Sequence, residues 1–175
     1  LRRQRQMCIR DRVQEGVAVS VFVYSQKTDA VFVEDGIKIH LIRHKKYRYF
    51  GWFFYRKYLQ DYLNRFVSLD KIDLIEAPDW TGIAAFMTLK VPLVIRFHGS
   101  DTYFCHLENR KQKLKNLWFE KLGMAKAKAF IAPTQFAGAL TQQLFGIKDK
   151  AIRVLHYGMM LSDFANETPE DFEQG

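Results

Sequence analysis

Pro92-Leu93-Val94-Ile95-Arg96-Phe97-His98-Gly99-Ser100-Asp101 is the stretch that decides how this chain reads. Leu93 to Phe97 is an apolar run of strand length, and it stops abruptly at four residues with polar groups or bare backbone. In an open parallel sheet, ligands bind in the crevice beyond the carboxyl ends of the strands. An imidazole beside a glycine, at such an exit, stands where chemistry can occur.

The segments around it alternate between strand and helix. Gly16 to Tyr24 is a continuous β-branched and aromatic run, the pattern of a strand covered on both faces. Ala30 to Val33 predicts a short strand. Asp35-Gly36 is a turn signal, and Ile37, Ile39 and Leu41 then alternate as in a half-buried strand near the sheet edge. From Tyr47 to Phe66 the period becomes helical, with Trp52, Tyr55, Leu59, Tyr62, Leu63 and Phe66 in phase. Ile72 to Ile75 predicts a strand with Glu76 to Asp79 at its carboxyl end. Asp79 could then cap a helix from Trp80 to Leu89, or contact a substrate, or both. Further on, Glu108 to Ala125 predicts a helix with Leu114, Leu117, Trp118, Leu122 and Ala125 on one side. Phe130 to Ala132 predicts a strand, Thr134 a cap for the helix Gln135 to Leu144, and Gly146 its stop. Ile152 to Leu155 predicts the last strand, opening into His156-Tyr157-Gly158. Ala165 to Gly175 reads as the start of a linker. This order implies an α/β fold, a parallel sheet with helices on both faces and right-handed crossovers.

The first twelve residues stand apart. Arg2 to Asp11 resembles one reading frame of an adapter and transposon end used in sequencing libraries. On that reading residues 1–12 lie outside the fold; the other reading is a basic arm. The segment carries five arginines and one aspartate, so removing it takes 27 basic and 19 acidic residues to 22 and 18, and the net charge from +8 to +4. A mildly basic chain gives little reason to expect a nucleic-acid partner. Cys8 goes as well, and Cys105 alone cannot form an internal disulfide, which fits a reducing compartment. No apolar run is long enough to span a bilayer. The remaining 163 residues (175 minus 12) suffice for one domain.

Asp79, His98, Thr134 and Gly158 all fall at predicted strand exits, and in a parallel sheet those exits share one edge. An imidazole, with its ordinary pKa of about 6.5, can donate or accept a hydrogen bond near neutral pH. Other chemistries lack their residues. There is no G-x-x-x-x-G-K-S/T loop and no G-x-G-x-x-G. His98, Cys105 and His106 lack the spacing of a zinc site, and no G-x-S-x-G elbow occurs. His40 and His44 are expected in solvent. Lys45, Lys46, Arg48, Arg56, Lys57 and Arg65 decorate the aromatic helix, which is either a core helix with a solvated basic face or a segment that touches anionic lipid.

The runs DLIEAPDW, VPLVIRFHGSD, AFIAPTQFAGALTQQLFGI and IRVLHYGMMLSDF, in that order, resemble the N-terminal domain of family-four glycosyltransferases, retaining enzymes of the GT-B fold. The resemblance runs from about Gly16 to Phe164. It implies two Rossmann-like domains, the N-terminal one for the acceptor and the C-terminal one for a nucleotide sugar. No metal or cofactor is implied; a UDP- or GDP-sugar is the co-substrate, and a saccharide or lipid-linked acceptor receives the sugar. By position His98 matches the histidine that faces the transferred sugar, and Gly99 the small residue beside it. Asp79 falls at a polar acceptor contact, and Gly158 at the glycine of the asparagine-glycine turn before the linker. Ser100, Asp101 and Thr134 join them as expected substrate-binding residues on the shared edge.

Tyr157 and Met160 depart from the asparagine and aspartate usual in that turn. Gly16 to Tyr24 resembles the family's second strand, which leaves the first strand and its glycine-rich loop absent, and the donor domain is absent after residues 165–175. The expectation is therefore a partial acceptor domain over residues 13–164, inactive alone and poorly soluble, because a lost central strand exposes sheet edges. It is cytoplasmic or peripheral to the membrane, the latter through Lys45 to Phe66. The competing reading is a non-catalytic Rossmann-like module that binds a sugar or a membrane surface.

Overall fold

The computed structural model describes residues 9, 10 and 12–156. After a short helical stretch at 9, 10 and 12–14, the elements follow in the order β1 (Ser20–Gln26), β2 (Ala30–Glu34), β3 (Ile37–Arg43), α1 (Gly51–Leu69), β4 (Ile75–Pro78), β5 (Leu93–Arg96), α2 (Asp101–Leu107), α3 (Leu114–Lys126), β6 (Ala129–Ala132), α4 (Gln135–Phe145) and β7 (Ala151–Val154). A single 3-10 turn, Trp80–Gly82, lies between β4 and β5. The expected α/β architecture is present. Its centre is a four-stranded sheet, β4-β5-β6-β7, in which every neighbouring pair is parallel.

By contact the described residues form two compact units, 9–22 with 30–40, and 23–29 with 41–156. In the first, Phe22 stacks on His40 with ring centroids 4.4 Å apart. Asp35 (φ 51°) and Gly36 (φ 76°) make the two left-handed residues of a hairpin turn, which joins β2 to β3. His40 is fully buried rather than solvated, because its place on β3 faces inward. The three-stranded sheet has the order β1-β3-β2, so β3 is central and not toward the edge. The bonds Lys38 N–Val19 O and His44 N–Gln26 O show that β1 and β3 run the same way.

In the second unit the core gathers Leu93, Ile95 and Phe97 from β5 and its exit, Phe130 and Ala132 from β6, and Met124, Ala127 and Ala84 around them. Phe97 and Phe130 meet at 5.3 Å. Both are essentially fully buried, each worth about 1.5–3 kcal/mol. β5 therefore alternates: Leu93, Ile95 and Phe97 point to the core, and Arg96 points to the other face. There Arg96 Nε and Nη2 reach Glu76 Oε1 and Oε2 on β4 at 2.7 and 3.2 Å.

Further elements differ from the sequence reading. β1 runs over Ser20–Gln26 rather than Gly16 to Tyr24. β4 begins at Ile75, three residues later than expected, so that Pro78 pairs with Arg96 and Asp79 follows the strand directly. The helix expected over 80–89 is only the turn Trp80–Gly82, with Thr81 (φ 61°) and Phe86 (φ 64°) in left-handed conformations. Side chains of α1 satisfy that segment's backbone instead. Lys57 donates to Phe86 O, Gln60 accepts from Thr88 N, and Asn64 both donates to Thr88 O and accepts from Lys90 N. A helix would need those same backbone groups for itself. The helix expected from Glu108 to Ala125 is two helices. Asn109 adopts φ 50°, and Arg110 and Gln112 turn back to Asp101 and Thr102. α3 also buries a different face: Phe119, Glu120, Gly123 and Met124 are inside, while Leu114 and Trp118 are exposed.

Candidate active site

The strands of the central sheet stop within one residue of each other. Pro78 pairs with Arg96, Arg96 with Ile131, and Ala132 with Val154. Asp79, His98, Thr134 and His156 therefore lie along one carboxyl edge, as the spacing of the motifs implied. Gly158, the fourth residue expected there, lies outside the described residues.

Two buried carboxylates hold the turn that carries the histidine. Asp79 is 2 % exposed. Its Oδ1 accepts from the His98 amide at 3.0 Å and its Oδ2 from the Gly99 amide at 3.1 Å. It makes no cap bond to the following turn, so the capping expectation fails: the β4 register aims the carboxylate sideways at the neighbouring strand's exit. Glu120, 1 % exposed, reaches across from α3. It accepts from the amides of Asp101 and Thr102 at 2.9 and 3.1 Å, and from the Thr102 hydroxyl. Four successive or near-successive amides, at 98, 99, 101 and 102, thus end on two carboxylates. The amide of Tyr103 ends on Ser100 Oγ, which caps α2.

Burial raises Asp79's pKa to about 6, against the lowering effect of its amide bonds; Glu120's charge pushes the same way. Asp101 moves in the opposite direction. The amide of Asn116 first, and the Arg110 guanidinium after it, hold its carboxyl below the ordinary range.

The supports of this clamp are themselves built in. Arg56 on α1 donates to the carbonyls of Trp52, Thr81 and Gly82 at 2.9, 2.9 and 3.3 Å, pinning the turn after Asp79. Gly82 (φ +53°) is where α3 comes close: a Cβ there would stand 2.2 Å from the Phe119 carbonyl oxygen. Only a glycine permits both the dihedral and the approach, and the approach delivers Glu120. Gly99 (φ +101°) is likewise required, since a Cβ would meet the Phe104 ring at 2.4 Å.

With its backbone so held, the His98 side chain stays partly exposed, its ring 5.3 Å from Trp80. Gly99 is also part-exposed, whereas Ser100 is fully buried. The Asp101 carboxylate is engaged by Arg110 and Asn116 at 3.1 and 3.0 Å. Thr134 accepts from the Ala137 amide at 3.1 Å and caps α4, as expected, while remaining exposed. Gly146 closes that helix at φ 64°. Three participants escaped the sequence reading: Trp80, Arg56 and Glu120. Glu120 had one legible signal, an acid one turn before a mid-helix glycine.

A family model described as Glycosyltransferase Family 4 matches residues 10–162. The chain belongs to glycosyltransferase family 4. The match spans the Asp79 turn, the His98 exit and the Thr134 cap, and the parallel sheet with its flanking helices is the Rossmann-like half of the GT-B fold. No curated protein matches the chain.

Proposed function

We propose that this domain presents the acceptor side of a retaining sugar transfer, from a nucleotide sugar such as a UDP- or GDP-sugar to a saccharide or lipid-linked acceptor. One observation carries it. The turn His98–Thr102 is held by two buried carboxylates, yet His98 itself stays partly exposed beyond the end of its strand. Fixing a backbone at that cost serves orientation, since a reacting group must be held close to its productive geometry.

In this reading His98 is the catalytic contact to the transferred sugar. It donates a hydrogen bond to a sugar hydroxyl or accepts one from it, and Trp80 limits the ring's swing. Gly99 lets the substrate approach the backbone. Thr134 lines the same edge, and Gly158, by its resemblance to the glycine of the family's turn, is the remaining substrate contact of this reading. Asp79, Ser100 and Asp101 have their oxygens engaged within the protein, so they act by positioning the turn. The nucleotide diphosphate is held by a second Rossmann-like domain, as the family fold implies, and basic groups there stabilise the leaving charge. The acceptor hydroxyl attacks the anomeric carbon on the face the diphosphate leaves: the bond from that carbon to the diphosphate breaks, the hydroxyl proton passes to the departing phosphate oxygen, and the new bond keeps the donor's configuration.

The test is turnover of labelled UDP- and GDP-sugars with saccharide acceptors, by this chain alone and joined to its donor domain. The joined protein is expected to transfer with retention and the chain alone not at all. His98→Ala should lower kcat about 10²-fold or more with the fold intact. Inverted product, or full activity in His98→Ala, overturns the reading.

A further inference from the structure

Lys90, Lys126 and Lys128 come from three segments: the loop before β5, the last turn of α3, and the residue that leads into β6. In a parallel sheet the segments that enter neighbouring strands share the amino edge, as the exits share the carboxyl edge. The bonding bears this out, since the Lys128 amide donates to the Leu93 carbonyl at the start of β5, at 2.8 Å. The fold thus gathers three cations at the end of the unit away from the histidine. At about 3.3 Å per residue, Leu93 stands about 16 Å from His98.

A cavity of about 370 Å³ opens among these lysines. That is near the lower end of small-molecule sites, about 300–1,000 Å³. Its floor is apolar: Ala84, Met87 and Leu93 are buried, and Leu89 and Val91 half-buried. Its wall is the segment that stands where a helix was expected. α1 fixes that wall from behind. Lys57, Gln60 and Asn64 bond the backbone of Phe86, Thr88 and Lys90, and Lys90 Nζ reaches Ser68 Oγ at 3.1 Å. A wall already bonded before a ligand arrives loses little freedom on binding.

The positive charge beside the cavity is not neutralised within the protein. Lys126 and Lys128 are exposed, and among the described residues their ammonium groups have no hydrogen bond or ion pair. Lys150 stands behind them. Its ammonium donates to the Met124 and Ala125 carbonyls at 3.1 and 2.9 Å, so it offsets the negative end of α3. Burial first, and the charge of Lys128 after it, hold Lys150 below the ordinary lysine range. No residue lining the cavity is acidic. The acids that also precede strands on this edge, Asp73 before β4 and Asp149 before β7, are not among the lining residues. An apolar floor beside unpaired ammonium groups suits a ligand with both characters: hydrocarbon against Met87 and Leu93, and an anionic head for the lysines.

We propose that this cavity at the amino edge of the central sheet binds a small amphipathic anion, an apolar ring or chain that carries one carboxylate or phosphate. The site is separate from the His98 edge, and it stands whether or not the sugar-transfer reading does.

The test is a ligand-detected NMR titration of the 175-residue chain, repeated on the chain joined to its donor domain, with phenylbutyrate and with phenylbutyl phosphate. Saturable binding is expected, with a Kd of about 1 mM or tighter for about a dozen heavy atoms, weakening as salt rises. The tighter of the two probes assigns the headgroup. Phenylbutanol lacks the charge, and acetate and inorganic phosphate lack the ring; each should bind about tenfold more weakly or worse. Lys126→Glu with Lys128→Glu should weaken both probes about tenfold or more. Both lysines are exposed, and circular dichroism checks that the variant folds. His98→Ala should leave binding unchanged. No saturable binding of either probe overturns the proposal, as does binding that the double lysine variant leaves unchanged. Phenylbutanol binding as tightly as the acid removes the role of the lysines. Acetate or phosphate binding as tightly as the ring-bearing probes marks an ion on surface lysines and removes the cavity. Loss of binding in His98→Ala moves the ligand to the carboxyl edge and overturns the proposal as well.

Discussion

Asp79→Asn tests the clamp at its most sensitive point. Burial raises the Asp79 pKa from 3.8 to about 6. A folded-state pKa above the unfolded one means that the folded protein binds the proton more tightly, so stability is greatest below pH 4 and declines as pH rises to 6. The difference, 2.2 units at 1.36 kcal/mol each, is about 3 kcal/mol. Asparagine has the shape of the protonated acid and one acceptor oxygen, but cannot ionise. Asparagine also sets its NH2 against one of the two amides, a pH-independent cost of about 1–3 kcal/mol. At pH 4 the variant should therefore be the less stable by about that amount, and between pH 4 and pH 7 the difference should move in its favour by up to about 3 kcal/mol. It would also be the poorer enzyme, because only the carboxylate can accept from both the His98 and Gly99 amides. The assay is urea unfolding of both proteins at half-unit steps from pH 4 to 7.5. A difference curve that is flat, or that favours the wild type increasingly as pH rises, refutes the burial of that charge.

Glu120→Ala should cost about 3–5 kcal/mol by stripping the Asp101 and Thr102 amides of a buried charged partner, and Glu120→Gln about 1–3 kcal/mol; urea midpoints read both. Gly82→Ala places a carbon 2.2 Å from a backbone oxygen at a left-handed dihedral. It should cost at least about 3 kcal/mol, or roughly 6–12 °C in Tm by calorimetry. Thr134→Ala removes one cap bond from α4 and should cost about 1 kcal/mol, measurable in the same unfolding series and without the pH dependence of Asp79→Asn.

Much of the fold was legible because its signals are local. The runs at Leu93 and Phe130 are apolar over strand length and flanked by turn residues, so their type needs no partner to specify it. Thr134 and Gly146 bracket α4 by cap chemistry that acts within one turn. The alternation of strand and helix then fixes a parallel sheet, and a parallel sheet fixes which ends share an edge. That is why His98, Asp79 and Thr134 could be placed on one rim from letters alone.

The errors came where side chains from a distant element took over a segment's backbone. The stretch after Asp79 has helical periodicity, yet Lys57, Gln60 and Asn64 of α1 bond its amides and carbonyls, and the helix does not form. The inward face of α3 was misjudged for a similar reason: contact with Gly82 turns Phe119 and Glu120 inside and leaves Leu114 and Trp118 out. Hydrophobicity named the residues able to pack; which of them did depended on a glycine thirty-seven positions before Phe119 (119 minus 82).

From its letters alone this chain specifies strand and helix order, one carboxyl edge and the histidine upon it, because propensity, capping and parity act over a few neighbours. Tertiary structure alone decided that two buried acids from separate elements would grip the histidine's turn, and that Trp52 and Trp118 would meet from separate helices. Those outcomes depend on contacts between residues from 18 to 66 positions apart, which no short-range pattern encodes.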